Sequence, residues 1–335
     1  MASTVFVIGA GASVEFDSTG NMPVGTALAI QIEQLLDTEL ANLKRGVSSG
    51  PVANAIMVSG GFNDVHLTAM ERIRDGIHSK NSIDEFIDDW QDIPELARIA
   101  KLCIAQRILS AERGSILGSL DDKDIDIAKQ LRSLRDTWLG LISRNANPKE
   151  RRRDVAKVFS GISFVVFNYD RCIEQFLFHT FTNTHAMSPN EARAVMAKIP
   201  ILHVYGSLGP FPVPGNGYTM SVPFGAEQTH TAFAAQSIRT FTEEIESGHA
   251  KLIQNVVSKA ETIVFLGSGY HTQNLRILFP SGHLQHIRIF GTALNMRESA
   301  RNRLMNYFPS STYSPIFEPT GCKDFIYKFE EIIFP

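Results

Sequence analysis

The sequence predicts an α/β protein whose parallel sheet is covered by helices on both faces and interrupted by an all-helical insertion. Three observations carry this. Short apolar runs recur at Val5–Ile8, Ile162–Phe167, Ile201–Tyr205, Thr262–Leu266 and Ile287–Phe290. Continuous apolar runs of this length suit strands buried on both faces of a parallel sheet. Helical periodicity fills the intervals between strands, as strand–helix–strand units require. From about 64 to 150 that periodicity runs on with little strand character, which marks the insertion.

The first strand ends at Gly9-Ala10-Gly11-Ala12-Ser13, and a loop with glycine and proline follows over 17–25. A helix is expected over about Thr26–Leu43, with Leu28, Ile32, Leu35, Leu36 and Leu40 on one face. Residues 46–62 are rich in glycine and small residues and read as a loop. In the insertion, Ile83, Phe86, Ile87 and Trp90 form one stripe and Leu96, Ile99, Ala100 and Cys103 another. The second strand ends at Asn168-Tyr169-Asp170, and a helix follows through Phe178. The third ends at Gly206-Ser207, before a loop over Leu208–Tyr218 rich in proline and glycine. Helical segments over about 232–260 lead to the fourth strand, which ends at Gly267-Ser268-Gly269. The fifth ends at Gly291-Thr292, before a last helix and the apolar tail Ile332-Ile333-Phe334. The whole chain, 1–335, reads as a single domain. Its Rossmann-like core spans about 1–45 and 155–335, with the insertion over about 64–150.

Composition narrows the function classes. Of the 335 residues 44% are hydrophobic and 20% charged, ordinary for a globular protein. A net charge of −3 does not fit a protein whose main task is to bind nucleic acid, and no direct nucleic-acid binding is expected. The one basic cluster, over 149–154, reads as a solvated helix start. No apolar run reaches the roughly 20 residues that span a bilayer. With no leader pattern at the N-terminus, the expected location is the cytoplasm. Cys103, Cys172 and Cys322 form no CxxC pair, so no ribbon-type zinc site and no metal is expected. Cys172 follows Asp170-Arg171, and a buried free thiol is its plainest reading.

In parallel sheets ligands bind at the carboxyl ends of the strands, and every polar motif lies at such an end. Gly9, Ala10, Gly11 and Ser13 form a candidate phosphate cradle, because glycine lets backbone approach a pyrophosphate and a helix start offers N–H donors. A tight turn explains the same residues. The dehydrogenase fingerprint is incomplete: Val14 stands where its third glycine would be, and no second strand follows to carry its acidic residue. Asn168 and Asp170 also suit a helix cap, His203 suits a satisfied core histidine, and Ser268 and Thr292 suit ordinary turns.

The order of these motifs resembles that of the Sir2-like, sirtuin-related family. Gly9–Ser13 is similar to its opening motif, Phe167-Asn168-Tyr169-Asp170 to its Asn-x-Asp motif, His203–Ser207 to its His and Gly-Ser motif, and Gly267–Gly269 to its later glycine loop. The resemblance implies NAD as substrate. Asn168 would position water or hold the ribose, His203 would act as base or orient ribose hydroxyls, and Asp170 would anchor the loop or touch the ribose. Gly9, Ala10, Gly11, Ser13, Gly206, Ser207, Gly267, Ser268, Gly291 and Thr292 would bind NAD. The segment from Asp17 to Gly20 lies where the family has a mobile loop over nicotinamide; a plain surface loop fits as well.

Two departures shape the expected activity. Protein-deacylating members usually carry a four-cysteine zinc module between the histidine and later glycine motifs, and here the span from Ser207 to Gly267 has no cysteine. The insertion resembles the zinc-less Sir2-like domains of bacterial anti-phage defence proteins. The expectation is therefore an NAD glycohydrolase that depletes NAD in defence, working as a homo-oligomer or with a second component such as an ATPase, a sensor or an Argonaute-like protein. A protein deacylase or ADP-ribosyltransferase, a non-catalytic NAD or ADP-ribose sensor, and a conventional oxidoreductase are the alternatives. The glycosidic bond to nicotinamide breaks through an oxocarbenium-like transition state, and its leaving group needs no protonation. Paired carboxylates are thus unnecessary. A polar group to place the nucleophile and a base to take its proton are needed.

Overall fold

In the computed structural model, β1 (Thr4–Ile8) lies at the centre of the sheet and is buried along its whole length. The described residues are 3–17, 19–47, 50–80, 82–90, 92–122, 124–146, 158–212, 221–240, 243, 247–280, 286–308 and 313–334. The basic cluster over 149–154 and the loop beyond Pro212 to Tyr218 lie outside them. The remaining strands are β2 (Ile162–Val166), β3 (Ile201–His203), β4 (Thr262–Leu266), β5 (Arg288–Thr292) and β6 (Ile316–Glu318). They form a six-stranded sheet in the order β3-β2-β1-β4-β5-β6, and every pairing is parallel. This is a Rossmann-like arrangement. Its order reverses between β1 and β4, which opens a crevice at their carboxyl ends.

Among the described residues eight α-helices separate β1 from β2: α1 (Ala10–Phe16), α2 (Gly25–Lys44), α3 (Pro51–Gly60), α4 (Asp64–Gly76), α5 (Ile83–Asp88), α6 (Pro94–Gly114), α7 (Ile127–Ser133) and α8 (Trp138–Asn145). Between β2 and β3 lie α9 (Cys172–His179), extended by a π-helical turn over Thr180–Thr184, and α10 (Pro189–Met196). Then come α11 (Thr231–Gln236) and α12 (Ser247–Ser258) before β4, α13 (Thr272–Leu278) before β5, α14 (Glu298–Tyr307) before β6, and α15 (Cys322–Ile333).

Alternation along the strands divides the interior in two. Val5, Val7, Val165, Ile263 and Phe265 pack with α2 to α6, α11 and α12. Phe6, Ile8, Phe164, Val166, Val264 and Leu266 pack with α8, α9, α10 and α15. The helices between β1 and β2 therefore contribute to both cores. Leu36, Ile73 and Cys103 lie on one side, and Trp138 and Leu141 on the other.

Several boundaries differ from the sequence reading. The stretch 46–62 contains α3, whose first turn is capped from another helix: the buried Glu39 carboxylate accepts from Val52 N at 2.9 Å and Ala53 N at 3.0 Å. That cap is tertiary, so local composition does not show it. Gly291 and Thr292 lie inside β5, not beyond it. β3 stops at His203, and β6, only three residues long, was not anticipated. The tail residues Ile332 and Ile333 complete the last turn of α15. No described helix is long and apolar enough to cross a membrane.

Candidate functional site

Because every strand is parallel, Gly9, Asn168, His203 and Gly267 leave the sheet at one edge. Gly9 caps α1 in extended backbone, and its N–H donates to the Leu266 carbonyl at 2.9 Å. Gly11 N–H donates to the Gly267 carbonyl at 3.0 Å. The chain turns after β1 and β4 are thus stacked on each other. A Cβ on Gly9 would sit 2.5 Å from that carbonyl, and Gly267 takes a φ of +59°. Here glycine serves close backbone approach and a left-handed turn. The Gly11 donor, expected to face a phosphate, is already engaged within the protein.

Between the ends of β1 and β2, one buried hydroxyl joins the first two motifs. Asn168 Nδ2 donates to Ser13 Oγ at 2.8 Å, and Ser13 Oγ donates to Asp170 Oδ2 at 2.8 Å. Asp170 Oδ1 accepts from Cys172 N at 3.2 Å, so Asp170 also orders the turn into α9. The Trp138 indole of the insertion donates to the Ala12 carbonyl at 2.8 Å and fixes α1 from behind.

His203 joins the same cluster. Its Nδ1 lies 2.9 Å from the Asn168 carbonyl oxygen and its Nε2 lies 2.9 Å from Glu174 Oε1. Burial by itself pulls the imidazole pKa down; the Glu174 carboxylate outweighs this, helped by the Asn168 carbonyl and by Asp170, so the net shift is upward. Burial pushes Glu174 up, and the facing imidazolium more than reverses that, so its pKa is lowered. The two directions agree on an ion pair. With both ring nitrogens on acceptors, His203 has no free lone pair in this arrangement.

The ten residues assigned to NAD by resemblance separate by exposure. Ala10, Gly11, Gly206, Ser207, Gly267 and Ser268 are partly exposed, whereas Gly9, Ser13, Gly291 and Thr292 are buried. The buried Thr292 supports the β4 turn by accepting from Gly267 N at 2.9 Å. Tyr270 donates to the Thr292 carbonyl at 2.7 Å, and its hydroxyl lies where a Gly291 side chain would be. Ser207 and Ser268 each make local turn bonds, to the Gly209 carbonyl and from Tyr270 N. Gly206 has a φ of +72°.

Three features were not anticipated. Glu174 is the only carboxylate in an apolar helix turn, which was its one sequence signal. Tyr205 donates to Asn274 Oδ1 at 2.7 Å, tying the end of β3 to α13 across the ends of β2 and β1. Arg171, one residue after Asp170, forms a fully buried ion pair with Glu112 of α6 at 2.6 Å. The loop from Asp17 is organised around the buried Asp17 carboxylate, which accepts from Thr19, Asn21, Met22 and Ile116. Burial raises the Cys172 thiol well above its ordinary pKa, which suits an inert thiol. Among the described residues, no group of three or more His, Cys, Asp and Glu side chains is placed to hold a metal. A cavity of about 540 Å³ lies elsewhere, between the insertion and the segment from Ala232 to Glu243, where Lys101 pairs with Glu243.

The class this defines is a Rossmann-like α/β protein with a polar, buried hydrogen-bond cluster at the carboxyl ends of β1 and β2, beside its switch point. No protein-family model and no curated protein matches the chain.

Proposed function

We propose that the chain is an NAD glycohydrolase that converts NAD to nicotinamide and ADP-ribose. One observation carries the reading: the Asn168–Ser13–Asp170 cluster stands at the carboxyl ends of β1 and β2, next to the β1–β4 switch point of a 3-2-1-4-5-6 parallel sheet, where dinucleotides bind across the crevice. The partly exposed Ala10 and Ser268 lie beside it, where a pyrophosphate would approach, while the Gly11 and Gly267 N–H groups are engaged within the protein. Scission of the bond to nicotinamide releases a neutral leaving group and places positive charge on the ribose. Asp170 supplies negative charge near that centre, and Asn168 places the ribose or the incoming water. For His203 to act as a base, its bond to Glu174 would have to be given up on substrate entry. Its present pairing favours a non-catalytic NAD or ADP-ribose sensor as the second reading.

Product analysis after incubation with NAD decides between them. Stoichiometric nicotinamide and ADP-ribose are the expected products. NAD binding without turnover supports the sensor, and no binding overturns both. Transfer of ADP-ribose or acyl groups to a protein would indicate the deacylase or transferase alternative.

The resemblance to zinc-less defence domains motivates the cellular role. The chain would act in the cytoplasm as a homo-oligomer or with a second component, held at low resting activity. Bacteria expressing it with that component should lose NAD on phage infection; an unchanged NAD pool would remove the defence role.

A further inference from the structure

We propose that Glu174 is a positioning residue of this site: through His203 it fixes the main chain of Asn168, and it holds the imidazole as a cation that donates from both nitrogens. The catalytic part of this proposal rests on the NAD-cleaving reading. The protonation part does not.

The argument begins where the sheet ends. The β2–β3 ladder pairs Val166 with His203, and Val204 N–H donates to the Val166 carbonyl at 2.8 Å. Beyond that point the strands diverge, and a buried carbonyl must find another donor. The Asn168 carbonyl finds His203 Nδ1 at 2.9 Å. A neutral imidazole has one donor and one acceptor. His203 faces two acceptors, the Asn168 carbonyl and Glu174 Oε1, each at 2.9 Å. With Glu174 ionised, the state its lowered pKa favours, only the doubly protonated ring satisfies both.

The side chains of His203 and Glu174 are 10% and 14% exposed, so the pair is largely withdrawn from water. Such pairs are poor sources of stability, because desolvation offsets their attraction. The second oxygen, Glu174 Oε2, is buried and has no hydrogen-bond partner. An apolar pair of similar volume would fold as well. What the ionic pair adds is a fixed geometry. From Glu174 a continuous chain of hydrogen bonds runs through His203 to the Asn168 main chain, whose side chain holds Ser13 and, through it, Asp170. The other charged groups around the ring are Asp170, after β2, and Arg171, which acts on Glu174. From α12, His249 Nε2 lies 2.9 Å from the His203 carbonyl and must donate there.

The expected pH behaviour has a definite sign. If His203 works as a cation, NAD turnover is flat through neutral pH and falls on the alkaline side as the ring deprotonates. If it works as a base, turnover rises with pH through the same range. Glu174→Gln removes the carboxylate charge and leaves burial to pull the ring pKa down. The alkaline limb then moves to lower pH, and kcat falls about 10–100-fold, the cost of misplacing a reacting group by about 1 Å. KM changes less, and Glu174→Asp restores part of kcat.

The test combines this profile with nitrogen NMR of histidine-labelled full-length protein, His203 being assigned from the signal lost in His203→Gln. Wild type should show both His203 ring nitrogens protonated at pH 7, and Glu174→Gln should show a neutral ring. A neutral wild-type His203 at pH 7 overturns the proposal, whether or not Glu174→Gln folds. An alkaline limb that Glu174→Gln leaves in place overturns the positioning role. If wild type does not cleave NAD, the functional reading fails and the NMR result still decides the state of His203.

Discussion

Asn168→Ala should lower NAD turnover by at least about a hundredfold while leaving the fold intact. The Asn168 amide donates to Ser13 Oγ, which donates to Asp170, so this amide orients the hydroxyl between the two motifs. Without it, Ser13 is free to rotate from Asp170, and nothing holds the reacting oxygen against the ribose. Stability should change little. The Asn168 carbonyl remains paired with His203, and the bond lost is a single neutral one, worth about 1 kcal/mol. Product release followed by chromatography gives the rate, and thermal unfolding gives the control. Turnover within about threefold of wild type would remove Asn168 from the chemistry, and with it the central observation behind the NAD reading.

Glu112→Gln should destabilise the protein by about 3–5 kcal/mol, the usual cost of leaving one member of a buried ion pair without its partner. Glu112 and Arg171 are 0% and 1% exposed. Arg171 bonds both Glu112 oxygens, through Nε at 3.1 Å and through a terminal nitrogen at 2.6 Å, and its main-chain N–H adds a third bond at 3.0 Å. The guanidinium also donates to the carbonyls of Val222 and Pro223, and Gly225 N–H donates to Glu112. One pair thus ties the insertion helix α6, the turn after Asp170 and the segment from Val222 to Gly225. The double variant Glu112→Leu with Arg171→Met removes both charges and should recover much of the loss. Urea denaturation of Glu112→Leu, Arg171→Met and the double variant measures the coupling. Additive losses would mean that the pair is not the element holding these segments together.

Much of the fold is legible in the sequence, because continuous apolar runs between helical stretches leave few arrangements other than a doubly covered parallel sheet. What misled was local. Glycine and serine over 46–62 read as loop, yet Glu39, 13 residues before Val52 along the chain, caps α3. Gly291 and Thr292 read as a strand-end motif, but they lie inside β5, under Tyr270 and against Gly267. The sequence around Glu174 does not mark its role, because its partner, His203, lies 29 residues on and meets it only after the β2–β3 crossover.

The sequence by itself determined which residue types stand at the strand ends: glycines where backbones approach, and asparagine, aspartate, histidine and serine where chemistry is expected. Strand order and charge partners were decided by the tertiary structure alone. The reversal between β1 and β4 brings Gly9 and Gly267 together, and the buried pairs Glu112–Arg171 and Glu174–His203 link elements far apart in the chain. The physical reason is that hydrophobic periodicity is set by neighbours along the chain. A charge withdrawn from water must instead find its counter-charge wherever the packed elements place one.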